Sequence, residues 1–183
     1  MVKTASSPQI LKTGSIAPDF TLKGVDGMMY SLQDYKSKTT LVVFICNHCP
    51  YVKARIGEIV ALQGRFNTSE LQVIGINSND PNYEEEGFDN MVIFANEHKL
   101  NFPYLIDESQ DVAKAYGAVC TPDPFLFDAD RKLVFHGRIN DALEPEAKPT
   151  VPVMENNIRM LLRGERIEKD FDPSIGCSIK WKS

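Results

Sequence analysis

A chain of 183 residues, 43% hydrophobic and 25% charged, can bury a sizeable core and fits one domain better than two. A formal net charge of −5 gives no basic footprint for a phosphate backbone, and no Lys/Arg run suits an anionic membrane surface. The longest apolar run, Leu41 to Ile45, is far below the roughly 20 residues that cross a bilayer, so neither nucleic acid nor membrane is an expected partner.

Residues 1–15 read as a polar lead-in, loose over 1–12; lacking the apolar stretch of a secretory signal, they point to a cytoplasmic protein. Ile16 to Leu22 and Gly27 suggest short extended pieces and turns. Leu41-Val42-Val43-Phe44-Ile45 is a continuous β-rich run, as expected of a strand covered on both faces, and Cys46 follows it at once. From Tyr51 to Phe66, Val52, Ile56, Ile59, Val60 and Phe66 fall largely on one helical stripe. Leu71 to Ile76 reads as a second buried strand. The polar run from Asn77 to Gly87, with its three glutamates, reads as a surface loop whose acidic cluster is a solvated edge.

Helical spacing returns from Phe88 to His98, and Phe102 to Ile106 can form a short strand. Asp107 to Tyr116 predicts a short helix capped by Asp107 or Ser109 and stopped by Gly117. Pro124 to Phe127 and Lys132 to His136 form a hairpin around Asp128-Ala129-Asp130, and a final helix runs from Val151 to Arg163. Residues 165–183 form a tail packed on the domain, with Trp181 as its buried anchor. The alternation predicts an α/β protein with a mixed central sheet, helices on both faces and the last two strands antiparallel.

Four cysteines, at positions 46, 49, 120 and 177, are too few and too unevenly spaced for a disulfide scaffold. Cys46-Asn47-His48-Cys49, placed between a buried strand and a helix, is a redox pair by its spacing. The helix start favours a thiolate, and His48 adds positive charge when protonated, so Cys46 is the expected low-pKa nucleophile. Cys49, one turn further in, is the expected resolving thiol, and Pro50 suits the first turn of the helix. Cys120 and Cys177 form a candidate second redox pair, weighed against burial as small hydrophobes and, for Cys177, a structural lock of the tail. His98 and His136 read as structural.

Ile16-Ala17-Pro18-Asp19-Phe20, the stretch from Cys46 to Lys53, Thr121-Pro122 and Phe125-Leu126-Phe127-Asp128 together resemble the redoxin branch of the thioredoxin superfamily. That branch holds alkyl hydroperoxide reductase and thiol-specific antioxidant proteins alongside thiol-disulfide oxidoreductases. The match runs over residues 12–142, and the tail from Pro173 to Lys182 resembles a subgroup of the same family. The resemblance implies a thioredoxin-like fold, a cis Pro122 facing substrate after Thr121, and beside it an uncovered backbone for an extended substrate segment.

Peroxiredoxins carry Pro-x-x-x-Thr-x-x-Cys, ending at the position of Cys49; here Val42 replaces the proline and Cys46 the threonine. The expected activity is therefore thiol-disulfide exchange with protein or small-molecule thiols, needing no bound cofactor or metal, with a thiol-dependent peroxidase as the alternative. Arg138 is a candidate for assisting a thiolate, set against the ordinary reading of an exposed arginine at a strand end. A Cu(I) or Zn(II) carrier using both thiolates with His48 or His136 is the third reading, disfavoured because related copper carriers separate their cysteines by three residues.

Overall fold

The computed structural model describes residues 2–183, and its centre is the apolar run after residue 38. In chain order the strands are β1 (Lys3–Ala5), β2 (Thr21–Gly24), β3 (Met29–Ser31), β4 (Thr39–Phe44), β5 (Leu71–Asn77), β6 (Tyr104–Ile106), β7 (Cys120–Thr121), β8 (Asp123–Phe127), β9 (Leu133–Gly137), β10 (Phe171–Asp172) and β11 (Ile175–Ser178). The helices are α1 (Pro50–Arg65), α2 (Phe88–Glu97), α3 (Asp111–Tyr116) and α4 (Val153–Leu162). An eight-stranded mixed sheet has the order β10-β9-β8-β4-β5-β6-β2-β3, and the predicted hairpin forms as β8 and β9.

Every residue of β4 is buried, because it lies between parallel β5 and antiparallel β8 and is covered above and below. Alternation then feeds two cores. Leu41 and Val43 pack with Ile56 and Ile59 of α1, Phe94 of α2 and Ile158 of α4, while Val42 and Phe44 face Ala113 and Tyr116 of α3 together with Leu11 and Phe20. Helices thus cover both faces, as the alternation predicts. Among the described residues no helix is long and apolar enough to cross a membrane.

Three expectations change. Helix α3 starts at Asp111, not at Asp107, because Gln110 takes a left-handed conformation (φ 66°); the Asp107 carboxylate still serves the helix start, accepting from Ala113 N at 2.9 Å and Val112 N at 3.4 Å. The lead-in is not loose throughout: β1 pairs with β11, and β11 with β7, in a separate three-stranded antiparallel sheet. Trp181 does not anchor the tail, being 42% exposed. The tail is held by polar partners from two loops, with Asp80 N donating to Lys180 O (2.7 Å), Lys180 N to Asn79 Oδ1 (2.8 Å) and Lys182 N to Gln110 Oε1 (2.8 Å), while Ile179 is its buried apolar contact.

Candidate active site

The site lies where β4 ends and α1 begins. Pro50 occupies the first helical position, so the helix cap is Cys49, and Cys46 lies outside the helix in the extended stretch after β4. Both thiols are fully buried. Cys46 Sγ lies 3.0 Å from Thr121 Oγ1, and Cys49 Sγ lies 3.3 Å from the Thr121 carbonyl, which accepts from the protonated thiol. On its other side Cys49 Sγ is 2.8 Å from Cys177 Sγ.

The two sulfurs form one buried pair that shares a hydrogen bond, so a single negative charge is divided between them. With the shared proton on Cys46, the hydrogen bond from that thiol, joined by the Cys177 thiol and the backbone N–H groups of Val52 and Cys177, outweighs burial and brings Cys49 down to about 5; with the proton on Cys49, that thiol donates to the Thr121 carbonyl and Cys46 carries the charge beside the Thr121 hydroxyl. Burial pushes Cys46 well up, reinforced by its bond to Cys49 and by the nearby Glu86 charge. Cys177 is pushed up to about 12, by burial first and then by its bond to the Cys49 sulfur.

The Asn47-His48 turn is tied to a residue with no distinguishing mark in the sequence. Glu86 Oε1 accepts from Asn47 N (3.0 Å), His48 N (3.2 Å) and the His48 ring at Nδ1 (2.5 Å), and its Oε2 accepts from Asn77 Nδ2 at 2.6 Å. Asn47 is pinned further by Tyr104, whose hydroxyl donates to its Oδ1 at 2.8 Å, and through its own donation to Glu85 O at 3.0 Å. Glu84 and Glu85 are exposed as expected, but Glu86 is buried, so the acidic run is not simply a solvated edge. His48 consequently pairs with a carboxylate, whose charge acts on Cys46 in the sense opposite to the assistance expected of the imidazole.

Burial alone would raise the Glu86 carboxyl, but hydrogen bonds from the His48 ring, Asn77 and His48 N hold it below its usual 4.5. A carboxyl depressed on folding contributes stability that is complete above its unfolded value and is lost as pH falls through the folded one. Denaturant unfolding should therefore show stability declining below about pH 4.5, and Glu86→Gln should cost about 1–3 kcal/mol at pH 7 while flattening that acid limb. An unchanged limb in the variant would remove Glu86 from the account.

The Thr121–Pro122 peptide is cis, as the resemblance implies. The backbone beside it is not uncovered: β11 pairs there, with Cys177 opposite Thr121 and Ser178 opposite Cys120. Cys120 and Cys177 are therefore not brought together as a pair. The Cys177 side chain reaches Cys49, whereas Cys120 is buried beside Ser174, its thiol pushed well up by burial and by the Asp123 charge. Behind Pro122, Asp123 Oδ1 bonds His136 Nε2 at 2.7 Å, and the His136 ring stacks on Phe125 with centroids 4.0 Å apart, a structural role as expected. Burial raises the Asp123 carboxyl although His136 opposes the shift.

Arg138 is spent elsewhere than on a thiolate. Its Nη2 lies 3.0 Å from both Pro173 O and Asp172 Oδ1, tying the end of β9 to the segment that leads into β11. For a metal, the donor atoms of Cys46, His48 and Glu86 lie within 4.8 Å of one another, a set suited to Zn(II) more than to Cu(I). Glu86 Oε1 already accepts three hydrogen bonds at that place. His136, bonded to Asp123, is not part of that group.

A strand-to-helix turn carrying paired thiols against a Thr-Pro loop, on a mixed sheet covered on both faces, defines a thioredoxin-like redox protein. The pattern of the AhpC/TSA family matches residues 13–136, and the chain belongs to that family. Among its relatives, the thiol-disulfide oxidoreductase ResA of Geobacillus thermodenitrificans is 28% identical over 120 residues, 66% of this chain and 66% of that protein. The thioredoxin-like protein YneN of Bacillus subtilis is 28% identical over 129 residues, 70% of this chain and 73% of that protein. The chain thus spans about two thirds of the ResA sequence it matches. Over its full length it is similar to an uncharacterized conserved protein from Geobacillus kaustophilus, 41% identical with a TM-score of 0.92, covering 100% of this chain and 97% of that one. A hypothetical protein from Sinorhizobium meliloti 1021 is 36% identical with a TM-score of 0.89, covering 98% of each chain.

Proposed function

We propose that this chain exchanges disulfides with protein or small-molecule thiols through Cys46 and Cys49, with Cys46 as the attacking sulfur and Cys49 as the resolving one. The observation that carries the reading is the Cys46–Cys49 pair lying against Thr121, whose hydroxyl is 3.0 Å from Cys46 Sγ while its carbonyl accepts from the Cys49 thiol at 3.3 Å. The naming of ResA as a thiol-disulfide oxidoreductase supports it. In the forward sense, Cys46 attacks one sulfur of a partner disulfide, and the other sulfur leaves as a thiolate. Cys49 then gives its proton to the departing partner sulfur and attacks Cys46, forming the Cys46–Cys49 disulfide and releasing the reduced partner. No organic cofactor or metal takes part in this proposal.

Turnover of insulin or oxidised glutathione by the reduced protein, coupled to a thiol donor, should fall by about 100-fold or more in both Cys46→Ser and Cys49→Ser. Either variant retaining wild-type turnover would refute the pair. A second reading has its own observation: Cys49 stands at the peroxidatic position of peroxiredoxins, and the Cys46 thiol donates to it from the position of their threonine hydroxyl. Stopped-flow oxidation by hydrogen peroxide faster than exchange with glutathione disulfide would make the antioxidant activity primary; slower oxidation is expected, because a thiol is a weaker hydrogen-bond donor than a hydroxyl.

A further inference from the structure

Next to Pro122 lies a crevice of about 20 Å³, walled in part by Tyr51 and Arg55 of α1 and by Arg138 at the end of β9. That is room for one small polar group. Arg55 is only 8% exposed, and its guanidinium is held by carbonyls alone: Nη1 donates to Ala54 O at 3.2 Å, and Nη2 to Ala142 O at 3.1 Å and Glu144 O at 2.7 Å. Among the described residues no carboxylate pairs with it; the Glu144 side chain is taken by Lys3 and by the Tyr51 hydroxyl. Carbonyl oxygens satisfy hydrogens but bring no counter-charge, so a full positive charge sits almost out of water and unneutralised. Two of the five Arg55 N–H groups, that of Nε among them, are left over by these bonds. Arg138 adds a second unused donor, because Nη2 serves Pro173 O and Asp172 Oδ1 while its buried Nε has no partner among the described residues. In a chain of net charge −5, two guanidiniums on one crevice reverse the sign locally.

We infer that this crevice is a carboxylate-binding subsite of the exchange reaction, and that the chain's substrates are small thiols and disulfides carrying a carboxylate near the sulfur. The inference rests on exchange through Cys46 and Cys49. The crevice borders the reacting sulfurs: Tyr51 lies two residues beyond Cys49, and Pro122 follows Thr121, whose hydroxyl is 3.0 Å from Cys46 Sγ. A carboxylate matches the planar fork of a guanidinium and supplies the counter-charge that Arg55 lacks. A neutral disulfide at the same place covers Arg55 without neutralising it, so the site discriminates by charge as well as by fit. Small molecules suit it better than an extended protein segment, because β11 already occupies the pairing position beside Thr121. With β11 in place the crevice persists, so a carboxylate can dock before the thiols are uncovered.

Oxidised glutathione and its ester, with both glycine carboxylates blocked, are the probes, and the readout is the ratio of their kcat/KM values. In the wild type the acid should be favoured by about 10- to 100-fold, the worth of one charge-assisted contact. Arg55→Met, which keeps the length of the side chain but not its charge, should bring the ratio close to one, and Arg55→Lys should fall between. A wild-type ratio near one overturns the inference without recourse to any variant. An equal fall for acid and ester in Arg55→Met, leaving the ratio as it was, marks Arg55 as a structural tie and also overturns it. Turnover of the neutral hydroxyethyl disulfide separates the two readings: if it proceeds while the ratio is one, exchange stands and the subsite falls. If the wild type turns over none of the three disulfides, exchange falls and the subsite with it.

Discussion

Alkylation of Cys49 by iodoacetamide should follow a single titration with a midpoint near pH 5 and reach its plateau well below neutrality. The sign follows from the charge: only the thiolate reacts, so the rate rises with pH through the value of the resting state and then levels. A sulfur with that midpoint would be almost wholly ionised at pH 7, against about one in a hundred for a thiol at its usual value. Because both thiols are buried, the reagent reaches Cys49 only in molecules that have opened, and the plateau rate is set by how often that occurs. The midpoint nevertheless reports the closed state, since the reactive population is counted against the resting one. Replacing Cys46 by alanine removes the largest cause of the low value and should move the midpoint upward. A wild-type midpoint near 8 or 9 would show that the hydrogen bonds converging on Cys49 do not stabilise its thiolate.

The second large effect concerns closure. Gly176→Val cannot be accommodated with β11 in place, because the added carbon falls 2.0 Å from the Thr121 oxygen and 2.6 Å from its carbonyl carbon, both rigid backbone atoms. The strand must leave β7. The expected result is an alkylation plateau about 10- to 100-fold higher, corresponding to about 1.4–2.8 kcal/mol less closing free energy, with the pH midpoint shifted up by loss of the Cys177 contacts. Gly57→Ala in α1 is the matched control, since nothing lies within 4 Å of a Cβ there and the substitution improves helix propensity. Equal alkylation rates in the wild type and Gly176→Val would show that β11 does not guard the thiols.

Much of the scaffold was legible from local patterns because those patterns are local in cause. The run from Leu41 to Ile45 is apolar because β4 has neighbours on every side, and the stripe from Val52 to Ile59 marks the face of α1 that covers it. The redox pair follows from the same logic. What spacing alone does not deliver is the helix boundary: Pro50 at the first position makes Cys49 the cap and leaves Cys46 outside the helix. Glu86 is harder still. It is one of three successive glutamates, and its selection for burial depends on the Asn47-His48 turn and Asn77 converging on it from other parts of the chain. Cys177 and Cys49 meet across 128 residues, a contact that no window along the chain contains. Trp181 misled for the converse reason: its size marks an anchor, but the tail's polar backbone found partners first, at Asn79, Asp80 and Gln110.

The three-stranded sheet joins the two ends of the described chain over the redox turn, with Lys3 opposite Cys177 and Ala5 opposite Ile175. Its closing contacts span nearly the whole length of the polypeptide, so of all the pairings in the fold they carry the largest loop-closure cost.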